Sequence, residues 1–228
     1  MRKSTSKGEG NRTARLRSTK SARNKPRTRN IAPLERKQVI LDAALTVFSE
    51  RGFEAARLDD VADRAGVAKG TLYLYFDDKE RLFEEVVSSA VTPILERLSV
   101  LAAATDISAD KTIETLFSIF QKEVLGTKRK LLIRLIIAEG PRFPRIAEFY
   151  YRNVVAHIMP LLAKLAERAV GRGEFSSDAY ARYPQLIAAP LLLAVVWDSL
   201  FASIRPLDVG DFFHAHHQAL TGKTRAAP

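Results

Sequence analysis

The sequence predicts an all-α fold, and two observations support this prediction. Apolar residues recur at helical spacing in one segment after another, and glycines and prolines separate those segments. No alternating strand pattern of useful length and no internal repeat occurs. None of the 228 residues is a cysteine, which excludes disulfides and thiolate metal sites and leaves helix packing to stabilise the chain.

The first 30 residues carry the whole charge excess of the chain. They contain eleven lysines and arginines against one glutamate, and this difference equals the net charge of +10. Because almost nothing in them is apolar, burial cannot offset the entropy cost of ordering them. We expect residues 1–33 to form a disordered basic arm.

The composition of the arm leaves two roles open. As a phosphate-seeking segment it would add non-specific, salt-dependent affinity for nucleic acid. It could equally be a solvated leader segment without a role in binding, either because the start of the chain is assigned too early or because the segment is an Arg/Ser-rich targeting peptide. No apolar signal-peptide core follows the first basic residues, so we expect a cytoplasmic protein that meets DNA in the nucleoid.

The first helix is predicted over about residues 34–50. Its apolar stripe is formed by Ile40, Ala43, Ala44, Val47 and Phe48. Gly52 lies just past it, where a helix end favours a residue that can adopt positive φ.

A helix-turn-helix is predicted over about residues 57–76. The second helix has its apolar stripe at Leu58, Val61, Ala62 and Ala65. Asp59 and Asp60 lie in its first turn, where the helix dipole favours negative charge. Gly66 then makes a sharp turn into a short third helix.

In the third helix one side is expected to face inward and the other outward. The inward residues are Val67, Ala68, Leu72 and Phe76, which leaves lysine, threonine and tyrosine side chains outward. Lysine ammonium groups, tyrosine hydroxyls and the free N–H groups of a helix start can all bind phosphate oxygens. Gly70, without a side chain, would let the backbone approach closely. The alternative is that both tyrosines are residues at the rim of the core, with their hydroxyls in water.

The remaining segments also read as helices. Asp77 with Glu80 forms a plausible capping box for a fourth helix, which Pro93 is expected to kink or split near residue 92. Further helices are predicted at about 109–125, 128–139, 144–171, 178–203 and 207–221. The apolar run 186–197 holds only twelve residues, short of the roughly 18 needed to span a membrane, so no membrane partner is expected.

The stretch "LDDVADRAGVAKGTLYLYFDDKERLF", with "GF" before it, resembles the DNA-binding domain of the tetracycline-repressor (TetR/AcrR-type) family of transcriptional regulators. The resemblance covers about residues 34–94. Residues 95–228 are similar to the family's variable effector-binding and dimerisation domain only in length and helical character. The resemblance therefore implies three segments: the arm at 1–33, a helix-turn-helix domain at 34–94 and a helical ligand-binding and dimerisation domain at 95–228.

The resemblance also implies which residues contact DNA. They are Arg57, Ala68, Lys69, Gly70, Thr71, Tyr73, Leu74, Tyr75 and Lys79. Two positions depart from the family pattern. Ala56 and Arg57 replace the usual Thr/Ser pair before the second helix, which removes a hydroxyl cap, and Ala68 replaces the usual serine.

The function that the resemblance implies is a ligand-responsive regulator, most simply a repressor. A dimer formed through about residues 178–221 would bind a palindromic double-stranded DNA operator and release it when a small-molecule effector binds. One short recognition helix touches too few bases to select a site alone, which also favours a dimer. The alternative is a non-sequence-specific nucleic-acid-binding protein driven by the basic arm.

No effector, metal or cofactor site is assigned from the sequence. Aromatic and polar side chains in the predicted helices could line an effector site or could be core residues, namely Phe117, Phe120, Arg134, Glu139, Tyr150, Tyr151, His157 and Trp197. His214, His216 and His217 do not form a known metal-binding pattern and are interpreted as surface residues. No hydrolase, zinc-protease or P-loop motif occurs, so no enzymatic activity and no cofactor are expected.

Overall fold

A computed structural model describes residues 32–222, and the predicted arm therefore lies almost entirely outside the described residues. This part of the chain contains eleven α-helices, two short π-helical segments and no strand. The all-α prediction is confirmed.

The first four helices are α1 (Pro33–Ala55), α2 (Leu58–Ala65), α3 (Lys69–Tyr73) and α4 (Lys79–Ala103). Gly52 has the predicted positive φ of 77°, but helical turns resume after it and α1 continues to Ala55. The third helix ends at Tyr73 and is shorter than the predicted stretch to residue 76. The backbone from Tyr73 to Phe76 nevertheless stays compact, because Phe76 N donates to Leu72 O at 3.1 Å.

The start and the middle of α4 differ from their predictions. Asp78 rather than Asp77 caps the helix, with its Oδ1 accepting a hydrogen bond from Arg81 N at 2.7 Å. The helix also runs through Pro93 without splitting. Arg129 Nε donates to Ala90 O at 2.9 Å, and this bond supplies a donor in the turn that the proline disturbs.

Seven helices follow. They are α5 (Ala109–Ile119), α6 (Lys130–Glu139), α7 (Pro144–Tyr150), α8 (Ala156–Gly171), α9 (Ala179–Arg182), α10 (Gln185–Phe201) and α11 (Val209–Thr221). A π-helical segment, Phe120–Leu125, extends α5, and another, Tyr151–Val155, joins α7 to α8. The predicted single helix at 178–203 is wrong, because Tyr183 leaves the helical region immediately before Pro184. A residue before proline is sterically disfavoured in helical conformation.

Two apolar cores hold these helices together. The first is built around Phe48, Phe53 and Phe83, and it also takes in Leu132 and Ile146 from α6 and α7. The second is formed by α5, α8, α10 and α11. Because the first core includes side chains from both sides of residue 94, the helix-turn-helix region packs directly on the later helices. The domain boundary at residue 94 stays a prediction.

One helix of residues 32–222, α4, is long and apolar enough to cross a membrane by length and composition alone, with a mean hydropathy of 1.4 over 18 residues. The apolar run at residues 186–197, which was weighed from the sequence as a membrane span, belongs to the shorter helix α10. A packed helix in a helical protein passes the same test. In the structure α4 buries Leu82, Phe83, Val86 and Val87, but only 11% of the apolar window is buried; Arg97 of the same helix pairs with Glu123.

Candidate nucleic-acid interface

A helix-turn-helix is formed by α2 and α3. Gly66 ends α2 in the left-handed conformation, with φ 69° and ψ 25°, and its N–H bonds back into the helix. The inner faces of the two helices are buried and lie in the first core through Val61, Ala62, Ala65, Leu72 and Phe76. The buried side fixes which residues of α3 remain exposed.

The outer side of α3 presents most of the predicted DNA contacts to solvent. Arg57, Ala68, Lys69, Gly70, Tyr73 and Leu74 are exposed, whereas Thr71, Tyr75 and Lys79 are half-buried. Leu74 is 85% exposed, which is unusual for a large apolar side chain. The structure thus brings the predicted residues to one region, while their contact with DNA stays a prediction.

Two residues behave differently from their sequence-based interpretation. Ala68 was expected to face inward, but it is the exposed N-cap of α3 with extended backbone and no side-chain cap bond. Arg57 is the N-cap of α2 and likewise makes no side-chain cap bond, which agrees with the loss of the hydroxyl cap. The adjacent Ala56 is buried.

The ring of Tyr75 packs on the first core, with its centroid 6.2 Å from that of Phe76. This environment matches a residue at the rim of the core. Tyr73 is half exposed, and its side chain remains available at the surface. Of the two alternatives weighed for the tyrosines, the structure therefore gives a packing role to Tyr75.

Lys79 joins α4 to the last turn of α1. Its Nζ donates to Phe53 O at 3.1 Å and to Glu54 O at 2.8 Å, and it lies 4.9 Å from the centre of the Phe53 ring. These contacts use two of the three N–H groups of the ammonium. A phosphate contact by Lys79 would therefore be made by a side chain that already has a structural role.

Glycine at position 70 is not required by packing. A Cβ placed there would meet no atom within 4 Å. The backbone of α3 is therefore accessible from outside at this position, as the sequence analysis proposed.

Carboxylates pair with several cations of the helix-turn-helix. Lys69 Nζ donates to Asp59 Oδ2 at 2.5 Å, and both side chains are largely exposed. This hydrogen bond raises the pKa of Lys69, and the negative charges of Asp59 and Asp63 raise it further. From the sequence, the negative charge of Asp59 was expected only to interact favourably with the dipole of α2. The ten-residue separation across a turn gave no periodic signal that the two side chains would meet.

The exposed face of α10 is a second candidate interface. Its exposed apolar side chains are Leu186, Leu192, Leu193, Leu200 and Phe201, and Ile204 follows just past the helix. The opposite face is buried in the second core through Ile187 and Ala194. In contrast, α11 buries Phe213 and Leu220 against its own chain, with the Phe213 ring centroid 5.0 Å from that of Phe117.

A cleft and a small cavity lie among the described residues. A cleft of about 360 Å³ lies between α1, α4 and the connection after the first π-helical segment, and its lining includes Asp42, Lys128 and Arg129. A small cavity of about 20 Å³ lies between α4, α5 and α8, with apolar walls and the hydroxyl of Thr112. Neither is lined by any of the eight aromatic and polar residues weighed from the sequence.

The three histidines make structural contacts. His217 Nε2 lies 3.0 Å from Asp110 Oδ1 and joins α11 to α5, while His214 contacts Gln218. His216 is half-buried, 5.9 Å from the Phe117 ring. The expectation of three surface histidines is therefore wrong for His216 and His217. Within residues 32–222 no group of three or more potential ligands could hold a metal ion.

Comparisons with known proteins agree with this geometry. A sequence model of "Bacterial regulatory proteins, tetR family" matches residues 40–86. The HTH-type transcriptional repressor BepR of Brucella suis is 30% identical over 182 residues, covering 71% of this chain and 77% of BepR. The Bacillus subtilis regulator YhgD is 38% identical over 64 residues, covering 28% of this chain and 34% of YhgD.

The matches thus differ in how much of a relative they cover. The chain spans about a third of the length of YhgD but more than three quarters of the length of BepR. Among solved structures, the fatty acid degradation regulator FadR of Bacillus halodurans superposes with a TM-score of 0.66 over 86% of this chain and 99% of FadR, at 24% identity. At this identity the likeness shows the fold alone, over 86% of the chain.

Proposed function

The chain belongs to the TetR family of bacterial transcriptional regulators, and from this we propose that it is a dimeric repressor that releases its operator when a small molecule binds. Members of the family are DNA-binding regulators rather than enzymes. The proposal concerns the partners of the chain: a palindromic DNA site, a second copy of the chain and an effector.

The observation that carries the DNA-binding part is the solvent-facing side of α3. Tyr73, Leu74 and the backbone at Gly70 are accessible together on a helix whose inner side is fixed by Leu72 and Phe76. A rigid helix with an exposed polar and aromatic face is suited to the major groove, where base edges and phosphates are both within reach. The N–H groups at the start of α3 add donors for a phosphate.

The apolar face of α10 supports the homodimer. A two-fold interface requires the same patch on both subunits, and the stripe from Leu186 to Phe201 runs along almost the whole helix. Leaving such a stripe in water is unfavourable, since each of these half-exposed leucines would gain roughly half of the ~1.5 to 3 kcal/mol that full burial of a leucine provides. We assign the main contact to α10, with the solvent side of α11 beside it.

The effector is assigned to the later helices, and their contact with α1 provides the route to DNA. The connection between α6 and α7 lies against residues 52–54. Arg142 Nη2 pairs with Glu54 Oε2 at 2.6 Å, and Glu139 Oε1 lies 2.7 Å from the position that a Cβ at Gly52 would occupy. A shift of α6 would therefore press on the segment that precedes α2 and change the separation of the two recognition helices in the dimer.

The experiment that tests the function is selection of bound sequences from random or genomic DNA with the purified full chain. We expect an imperfect palindrome whose half-sites lie about 34 Å apart, one turn of DNA. Enrichment of a single half-site would contradict the dimeric mode. Retention of DNA without any enriched sequence would contradict a sequence-specific repressor.

Non-sequence-specific nucleic-acid binding is the second candidate function, because the whole charge excess lies in the first 30 residues. Eleven basic residues in the first 30 would suffice for non-specific, salt-dependent attraction to DNA. The two functions differ in the ratio of operator to random-DNA affinity at fixed salt. Deleting residues 1–30 should weaken both affinities and leave that ratio largely unchanged if the arm is only electrostatic.

A further inference from the structure

The ion pair between Asp59 and Lys69 lies at the proposed DNA surface and places a carboxylate there. Lys69 is the first residue of α3, and Asp59 lies in the first turn of α2. Their side chains remain 62% and 45% exposed, so both charges are accessible to solvent beside the start of the proposed recognition helix. A carboxylate at this place repels the phosphate that the lysine attracts.

We propose that Asp59 acts as an internal counterion for Lys69, so that a DNA phosphate meets a neutral pair and binds only by exchanging with the carboxylate. This inference rests on the proposed DNA-binding function and concerns a positioning residue that the family resemblance did not supply. Its chemistry is an exchange of one ion pair, Lys69 with Asp59, for another, Lys69 with phosphate.

The exchange has a measurable consequence for salt dependence. Each net positive charge that neutralises a phosphate releases bound cations, and log affinity then falls against log salt with a slope of about −0.9 per phosphate. When Lys69 leaves Asp59 for a phosphate, the phosphate releases bound cations while the freed carboxylate attracts a cation in turn, so the exchange releases few cations overall. Lys69 should therefore contribute contact geometry but almost nothing to the salt slope.

The same pairing recurs at neighbouring positions. Arg51 pairs with Asp60, and Arg64 forms a two-point contact with Glu50. These cations are thus also compensated by carboxylates, and the attraction of the helix-turn-helix for arbitrary phosphates is reduced. A freed Lys69 could bind any phosphate within its reach, so the pair favours the operator over random DNA.

The exposed pair contributes little to folding, which makes the exchange feasible. Solvent-exposed ion pairs are typically worth less than about 1 kcal/mol, so a phosphate can compete for the lysine at low cost. For the same reason, removing the carboxylate should leave the protein folded. Asp59→Asn changes a charge in the first turn of α2 without removing any buried side chain.

The test is a thermodynamic cycle on the full chain with Asp59→Asn, Lys69→Ala and the double variant. Fluorescence anisotropy would give affinities for a selected operator and for a random duplex between about 50 and about 200 mM salt. Asp59→Asn should steepen the slope by about 0.9 per subunit and raise random-DNA affinity more than operator affinity. Lys69→Ala should lower affinity in the native background without changing the slope, and should reverse the steepening in the Asp59→Asn background.

Glu114→Gln is the matched control. Glu114 pairs with Lys111 on α5 at 2.6 Å, both side chains are exposed, and the net charge changes by the same amount. The control should leave the slope unchanged. An unchanged slope in Asp59→Asn, or an equal effect of Lys69→Ala in both backgrounds, would overturn the inference while leaving operator binding intact. Absence of saturable DNA binding by the native chain would overturn the proposed function and this inference together.

Discussion

The ring of Phe143 lies edge-on to the ring of Phe53, with centroids 5.4 Å apart and planes at 63°. Phe143 follows α6, and Phe53 lies between the kink of α1 and the start of α2. Phe53 also packs against Phe83 at 5.7 Å, so the contact continues into the core beneath the recognition helix. A displacement at the end of α6 therefore reaches the helix-turn-helix through packed rings.

Replacing Phe143 with alanine should loosen this connection. Phe143 is half-buried, so the expected cost is about 2 kcal/mol, below the range for a fully buried phenylalanine. We expect a lower melting temperature and faster amide exchange in α1 and α2 than in α5 or α8. Tyr151→Ala removes an exposed ring from the same helical region and should have little effect. Uniform loss of protection across all helices would argue against a specific connection.

A second prediction concerns Gly70, whose neighbourhood is empty. Gly70→Ala should leave folding unchanged or improve it, because alanine is favoured over glycine in a helix by about 1 kcal/mol. Operator affinity should nevertheless fall about tenfold if DNA approaches the backbone there, since the added methyl would clash with it. Anisotropy titrations together with thermal melting would measure both effects. Gly171→Ala, which also adds a Cβ into open space, should not alter DNA binding.

The helices could largely be predicted from the sequence because each depends on local periodicity. The stripes of α1 and α2, the positive φ of Gly52, the turn at Gly66, and the inward positions Leu72 and Phe76 all appear in the structure. The helix break at Tyr183 was missed because its cause, steric clash with Pro184, was outweighed by the long apolar run that follows at residues 186–197.

Contacts between helices could not be predicted in this way. The pairing of Asp59 with Lys69 and the edge-on contact between Phe53 and Phe143 depend on how separate helices pack. A single sequence contains no periodic signal for contacts between helices. The cap of α4 shows the same limit at short range. Asp77 and Asp78 both fit the sequence pattern of a helix N-cap, and in the structure Asp78 is the residue that caps α4.

Tyr73→Phe tests the role of a hydroxyl in DNA binding. The ring of Tyr73 is half exposed, so removing its oxygen should leave the melting temperature nearly unchanged. If the hydroxyl donates to a phosphate, operator affinity should fall about tenfold, which corresponds to one hydrogen bond to a charged group. Tyr151→Phe removes another exposed hydroxyl and serves as the control. Equal affinities of native protein and Tyr73→Phe would exclude the phosphate contact.

His216 predicts a dependence of stability on pH. Burial lowers its pKa in the folded protein, partly opposed by a hydrogen bond to the Leu186 backbone, while the charge of His217 lowers it further. Its Nε2 is buried without a hydrogen-bond partner, so a proton there would have no acceptor. The pKa of His216 in the unfolded chain is about 6.5, so below this pH the unfolded chain binds more protons than the folded protein. The free energy of unfolding should therefore fall as pH is lowered through this value.

The measurement is the melting temperature at pH 7.5 and pH 5.5 for the native chain and for His216→Gln. The variant should lose part of the acid destabilisation, because its side chain does not titrate. His157→Gln controls for removal of a histidine elsewhere in the later helices. An identical pH dependence in native protein and His216→Gln would show that His216 does not set the acid response.

The last prediction places a charge in the apolar stripe of α10. Leu193 is 47% exposed and lies in the middle of the stripe, so Leu193→Glu leaves the second core intact but would bury a carboxylate in the proposed dimer interface. An unpaired buried charge costs several kcal/mol, and two copies would face each other across a two-fold axis. Light scattering should then report a monomer, and operator affinity should fall steeply because one half-site is insufficient. Val100→Glu introduces the same charge at an exposed apolar position on α4 and should remain dimeric. A Leu193→Glu protein that still dimerises and still binds the operator would remove this face of α10 from the interface.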